Sequence, residues 1–399
     1  MVSMDRALKR IGLLTLIFFI SPLAWAAGED QPESSVSEQL VRTQLDQLDT
    51  EPLESFWRDL KQEYGRYLPG GEKGDLFDAV LSPEGGFSLK EAMTALARYF
   101  FHEILYNGRL LGTVVVLTVL SMILQLLSTA FQHNQVSRVA FAVVFMVIII
   151  LAVDSFSVAV DSAKTAIERM IHFMMALVPL VLTLLASMGN FGSVAMFHPL
   201  IVFMIHVVGT VIYTVIFPLL FFSAVLSIVS CLSEKYKLNQ LADLFRRVSL
   251  GLMGGLLTIF LGIISIQGAT AAVTDGVTIR TAKYLTGNFV PVVGRMFSDA
   301  ADTVVGASLL VKNAVGMAGV LVLLFISVFP ALKIISLAII YNFSAAVMQP
   351  FGGGPIIDCL NIIGKTLLYI FGALATVGLM FFLAVTIIVT AGNISVMIR

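Results

Sequence analysis

The chain has 399 residues, of which 58% are hydrophobic and only 13% charged, and its mean hydropathy is +0.93. Soluble globular chains carry about one quarter charged residues, so lipid rather than water must solvate most of this surface. The formal net charge of -1 hides a division, with acidic residues concentrated before residue 105 and sparse basic ones after it. It offers no clustered basic face for nucleic acid.

The first residues form a three-part export signal: a basic start at Arg6, Lys9 and Arg10, an apolar run from Ile11 to Ile20, then Ala24 and Ala26 as small residues before a cut. The apolar run is short of the roughly 20 residues that a spanning helix needs, so residues 1–26 are expected to be a cleaved signal peptide and residue 27 to emerge outside the cytoplasm. Residues 27–108 form an acidic extracytoplasmic segment. Leu45, Leu48, Leu53, Phe56, Trp57 and Leu60 fall close to a helical stripe that Pro52 interrupts. The glycines and prolines between Leu68 and Phe87 predict a loop. Ser88 with Glu91 three residues on makes a capping box for a helix toward Tyr106. A segment this small buries little core alone and is expected to lean on the membrane domain or on a partner.

Residues 109–399 are expected to be a polytopic membrane domain, all-α. Its apolar runs are Leu110 to Ala130, Val139 to Val153, Ile171 to Met188, Leu200 to Cys231, Val248 to Gln267, Ala314 to Phe329, Ala331 to Met348 and Thr366 to Thr390. They predict about 7 transmembrane helices, with the 200–231 run, which holds Pro218, either kinked or re-entrant. Alternation then puts the basic loop around Lys235, Lys237, Arg246 and Arg247 outside, against the positive-inside tendency. That makes the 200–231 run the one suspected of not crossing. The spacing of Pro179 and Pro199 repeats in Pro330 and Pro350, a weak sign of the duplicated halves on which many transporters are built. Cys231 and Cys359 sit in or beside apolar runs and are expected to be small buried hydrophobes.

Between residues 268 and 312 the apolar runs stop, yet the composition stays small and mixed. Gly268, Ala272 and Gly276 form a small-residue stripe that lets another helix approach closely. Asp275, Arg280 and Lys283 accompany it. After a break that includes Pro291, and from Gly294 on, Arg295, Asp299 and Asp302 fall at i, i+4 and i+7 on one helix face, opposite apolar residues. Such a face either meets water within a protein or lies at the membrane interface. Arg280, Lys283, Pro291, Gly294, Arg295, Asp299, Asp302 and Lys312 are the candidates for a path lining or a subunit contact, with Asp154 and Asp358 as secondary candidates. No phosphate loop, HExxH, GxSxG or paired cysteine cluster is present. The chain is therefore expected to be no enzyme, to bind no cofactor and no metal, and to draw any transport energy from a gradient or a separate ATPase.

The block TDGVTIRTAKYLTGNFVPVVGRMFSDAADTVVGASLLVKNAVGMAG from Thr274 to Gly319, with ALVPLVLTLLASMG and the FHPL at Phe197 to Leu200 upstream, resembles the stage III sporulation protein AE family of endospore-forming bacteria. The resemblance covers essentially the whole chain. It implies a multi-pass protein of the mother-cell membrane around the forespore, one non-catalytic pore or scaffold subunit of a secretion-system-like channel. The partners it implies are other proteins of the stage III sporulation A operon, among them a separate ATPase and ring-forming proteins, and stage II sporulation protein Q across the intermembrane space. The competing reading is a stand-alone secondary transporter for a small solute.

Overall fold

A computed structural model describes residues 48, 50–68, 76–77, 89–130, 135–232, 238–289, 293–351 and 355–397. The expected signal peptide lies outside them, as does most of the predicted loop from Leu68 to Phe87. All described secondary structure is helical: α1 (Glu51–Tyr64), α2 (Leu89–Tyr106), α3 (Gly108–Ala130), α4 (Gln135–Ser187), α5 (Phe191–Val211), α6 (Phe217–Leu232), α7 (Asn239–Phe289), α8 (Val293–Met348) and α9 (Pro355–Met397). One π-helical turn, Ile212–Ile216, joins α5 to α6.

Five helical stretches are long and apolar enough to cross a membrane: Ala142–Ser187, Phe191–Cys231, Asn239–Asp275, Val305–Met348 and Pro355–Asn393. The α2–α3 pair, bent by 45°, makes a sixth candidate. The count is lower than the expected seven because apolar runs fuse. The 139–153 and 171–188 runs are two ends of α4, and the 314–329 and 331–348 runs are two ends of α8. Pro330 is tolerated within α8, where it leaves one carbonyl of the preceding turn without its helical amide.

That fusion also accounts for the basic loop. The 200–231 run is not re-entrant, since α5, the π turn and α6 form one continuous stretch. Pro218, in the first turn of α6, lacks the amide that would close on the turn before it, and the wider π turn lies at that place. With α4 a single crossing, the start of α4 and the end of α6 come at the same end of the bundle. The odd crossing lay in α4, not in the suspected 200–231 run.

Each long stretch outruns a bilayer. At 1.5 Å per residue, 37 to 46 residues extend about 55–69 Å, against a hydrocarbon core of about 30 Å. The core is built where α4, α8 and α9 meet, and Tyr341, Phe173, Phe325, Phe329 and Phe381 are among its largest fully buried side chains.

The α4–α5 corner is a tight reversal. Gly189 has φ 84°, the Gly189 amide donates to the Ala186 carbonyl at 2.9 Å and the Asn190 amide to the Leu185 carbonyl at 3.1 Å. This pair of bonds is the Schellman closure, which needs a left-handed residue after the helix end. A side chain there would cost about 1–2 kcal/mol. The proposed duplication finds no counterpart in this corner. Pro179 and Pro199 lie inside helices on either side of it, whereas Pro330 lies inside α8 and Pro350 in the 3-10 turn Gln349–Phe351.

The amino-terminal segment leans on the membrane domain as its size requires. Pro52 starts α1 instead of breaking a helix, because in the first turn its missing amide leaves no bond unmade. Leu53, Trp57 and Leu60 are buried on one face. Tyr64 stacks on Phe329 with ring centroids 4.1 Å apart, Tyr99 of α2 meets the same ring edge-on at 4.9 Å, and Phe56 meets Phe173 at 5.2 Å. Burial, then the hydrogen bond to Glu63, push the Tyr64 phenol above its usual value. The helix α2 begins at Leu89 and ends at Tyr106, as the capping box and its apolar run predict.

Candidate functional site

Helices α8 and α9 run antiparallel, and their facing residues form a ladder: a Cβ on Gly364 would meet the Asn342 side chain, one on Gly378 would meet Ser327, and one on Gly316 would meet Val389. At the last rung stands Lys312, with no exposed surface. Its Nζ donates to the Val389 carbonyl at 2.8 Å and to Oδ1 of Asn393. Gly392 makes room, since a Cβ there would lie 2.8 Å from Nζ and 2.6 Å from Leu185 of α4. Among the described residues no carboxylate stands at ion-pairing distance from this ammonium. A buried cation without a counter-charge is strongly disfavoured unless its donors are satisfied. The two acceptors from α9 therefore hold α8 and α9 in register.

A second polar contact lies at the same end of the bundle. Asp275 of α7 is buried, and its carboxylate accepts from the Gly192 amide at 3.1 Å and the Ser193 amide at 2.9 Å. These are orphan donors of the first turn of α5, where the helix dipole also favours negative charge. A Cβ on Gly192 would stand 2.6 Å from Oδ1 of Asp275, so the glycine is what lets the carboxylate reach the helix end. Nearby in sequence, the Asn313 Oδ1 and Gln267 Oε1 atoms are buried without a hydrogen-bond partner among the described residues. We expect Asp275→Ala to lower stability in detergent by about 1–3 kcal/mol, because two buried amides lose a charged acceptor. Asp275→Asn, which keeps one acceptor oxygen, should lose less. A thermal unfolding series that ranks alanine no worse than asparagine would refute the capping role.

The small-residue stripe does part of what its spacing predicts. A Cβ on Gly268 would lie 2.6 Å from Ile387, so α9 packs directly against that backbone. The surroundings of Ala272 and Gly276, and the Ala272 side chain, lie outside what is described. So do the side chains of Arg280, Lys283, Arg295, Asp299 and Asp302, although their backbones are helical in α7 and α8; Gly294 lies on the first turn of α8 and Pro291 falls in the undescribed break. Lys312 is the candidate whose side chain is described, and it points into the packed bundle instead of along an open face. Asp154 and Asp358 are exposed, Asp154 beside Ser155 on α4 and Asp358 in the first turn of α9. The hydroxyl of Tyr341 donates to Ser155 Oγ at 2.7 Å, a cross-helix bond that sequence spacing does not reveal.

On α4, Asp161, Lys164, Glu168 and Arg169 interrupt the apolar surface, and Arg169 pairs with Glu63 of α1 at 2.5 Å. Both partners are nearly half exposed, so this pair contributes well under about 1 kcal/mol. No group of three or more metal-ligating side chains occurs among the described residues.

Fold and site together define a polytopic α-helical membrane protein with a buried lysine lock at one end of its bundle. The family model for stage III sporulation protein AE matches residues 72–392, and the chain belongs to that family. It is 51% identical over 373 residues to the stage III sporulation protein AE of Bacillus subtilis (strain 168), covering 94% of this chain and 93% of that protein. No solved structure matches the chain.

Proposed function

We propose that this chain is a non-catalytic membrane subunit of the channel that joins mother cell and forespore during endospore formation, placed in the mother-cell membrane around the forespore. The observation that carries the reading is family membership over nearly the whole chain. The five or six candidate spans support the multi-pass membrane placement. In this reading the segment containing α1 and α2 faces the intermembrane space, where stage II sporulation protein Q and the ring-forming proteins would meet it. The separate ATPase supplies energy from the mother-cell side. Arg280, Lys283, Arg295, Asp299 and Asp302 line the path or contact another subunit, with Pro291 and Gly294 shaping the break between them, while Lys312 acts by holding α8 to α9.

The test is replacement of the Bacillus subtilis relative by this chain, scored as heat-resistant spores. Restored sporulation supports the reading, whereas a well-inserted chain that restores none removes it. In the same strain Asp299→Lys should cut spore yield by orders of magnitude, because it sets like charges one helical turn apart at Arg295. Near-normal yield would strike that face from the site.

One observation favours the transporter reading as well. The first-turn amides of α5 hold a buried carboxylate, Asp275 of α7, and helix amino termini that receive anionic groups recur in secondary transporters. Solute uptake by the purified chain alone in liposomes, abolished by Asp275→Asn, would favour that reading over a subunit that needs its partners.

A further inference from the structure

The two cysteines of the chain are 128 positions apart in sequence, yet the fold sets them side by side. Cys231 stands one residue before the end of α6 and Cys359 in the first turns of α9, and their thiols face one another. Cys359 has no exposed surface, while Cys231 is partly open. The local frame holds the two helices together here. Further along, Arg246 of α7 lies over the Tyr369 ring of α9 at 5.2 Å and donates to Ser227 of α6 at 3.4 Å, so that α6, α7 and α9 form one packed corner. The far end of α6 differs. Helix α6 joins α5 through the π turn Ile212–Ile216, a break in regular helical bonding of the kind that permits local adjustment.

We infer that Cys231 and Cys359 form a redox modification site, a dithiol that closes to an intramolecular disulfide between α6 and α9. Two facing thiols need only a small approach to attain bonding distance, and both stand near helix ends, Cys231 one residue before the end of α6 and Cys359 in the first turns of α9. Exposure sets the order of events. The partly open Cys231 meets the oxidant, and the enclosed Cys359 resolves the product.

With a hydroperoxide as oxidant, the Cys231 thiolate attacks the outer peroxide oxygen. The O–O bond breaks, the departing alkoxide takes a proton to leave as an alcohol, and sulfur becomes a sulfenic acid. The Cys359 sulfur then attacks the Cys231 sulfur, an S–S bond forms, the S–O bond breaks, and the Cys359 proton leaves with the hydroxyl as water. Sulfur gives up two electrons in all and the peroxide is reduced. A dithiol reductant reverses the closure by exchange. The product ties α6 to α9 and limits any movement of α6 about the π turn. It stands on the geometry of this corner and holds whether the chain is a channel subunit or a transporter.

The full chain, reduced and purified in detergent, is treated with tert-butyl hydroperoxide, denatured and alkylated. The expected result is that both free thiols disappear, the intact mass falls by two hydrogens, the chain stays monomeric on a non-reducing gel, and dithiothreitol restores both thiols. The Cys359→Ser variant should instead accumulate a dimedone-reactive sulfenic acid at Cys231. Two thiols still alkylated after peroxide, or a disulfide joining two chains, would overturn the inference. These wild-type readings decide it even if the serine variant fails to fold.

Discussion

Asn393→Leu should destabilise the bundle, and Lys312→Met should relieve much of the damage. In the native packing the Lys312 ammonium is fully enclosed, and its partners are a backbone carbonyl and the Asn393 side chain. Removing one partner leaves the buried amino group with a single acceptor, a loss of about 1–3 kcal/mol. Replacing the lysine by methionine as well leaves an unbranched side chain one atom shorter and without the amino group, and an apolar pair in place of a buried polar one is often near neutral. The double variant should therefore be more stable than Asn393→Leu alone, giving a coupling of about 1–3 kcal/mol in a double-mutant cycle of thermal unfolding in detergent. Additive losses would show that the two residues act independently and would sink the lock. Spore formation gives the other half of the test. If it fails in the stable double variant, the lysine has a task beyond holding α8 to α9.

The lock also shows which parts of this molecule the sequence discloses. Lys312 has no acidic residue one helical turn away on its own helix, since Ser308 and Gly316 occupy those places. Its partner therefore had to come from another helix. That partner is Asn393, a neutral side chain at the end of an apolar run, and nothing in its own neighbourhood marks it. The same holds for Tyr341 and Ser155, and for Cys231 and Cys359, pairs made by tertiary packing across more than one hundred residues. Periodicity and capping reach the elements but not these contacts. Ser88 and Glu91 correctly announce α2, and the apolar runs correctly announce an all-helical membrane domain. The apolar runs outnumber the long helices for a physical reason: charged residues such as Asp161, Lys164 and Arg169 end an apolar run without ending a helix. Here Asp161 and Arg169 stand on the exposed side of α4, and Arg169 meets Glu63 of the docked α1. A glycine in a helix can be read only as permitted closeness. Whether Gly192 admits a carboxylate or Gly268 an isoleucine depends on the opposing helix.

That docking is the subject of the remaining large effect. Trp57→Ala should release α1 from the bundle. Its indole is buried, lies 6.3 Å from the Phe325 ring and carries Lys61 Nζ 5.8 Å above it. Truncating a buried tryptophan costs about 3–5 kcal/mol. The cavity would open beneath a helix of only 14 residues that is too short to persist on its own in water. The loss should therefore appear as local undocking, with the long helices still packed. Limited proteolysis between residues 51 and 68 reads the open population directly. When opening is fast relative to cleavage, about 3 kcal/mol corresponds to a rise of about a hundredfold in cleavage rate. Arg169→Ala, which breaks the exposed pair with Glu63, should change the rate by only a few-fold, since solvent screens that contact. Equal release by the two variants would mean that charge rather than aromatic packing holds the segment. The stacked Tyr64 and Phe329 rings beside the indole argue for packing.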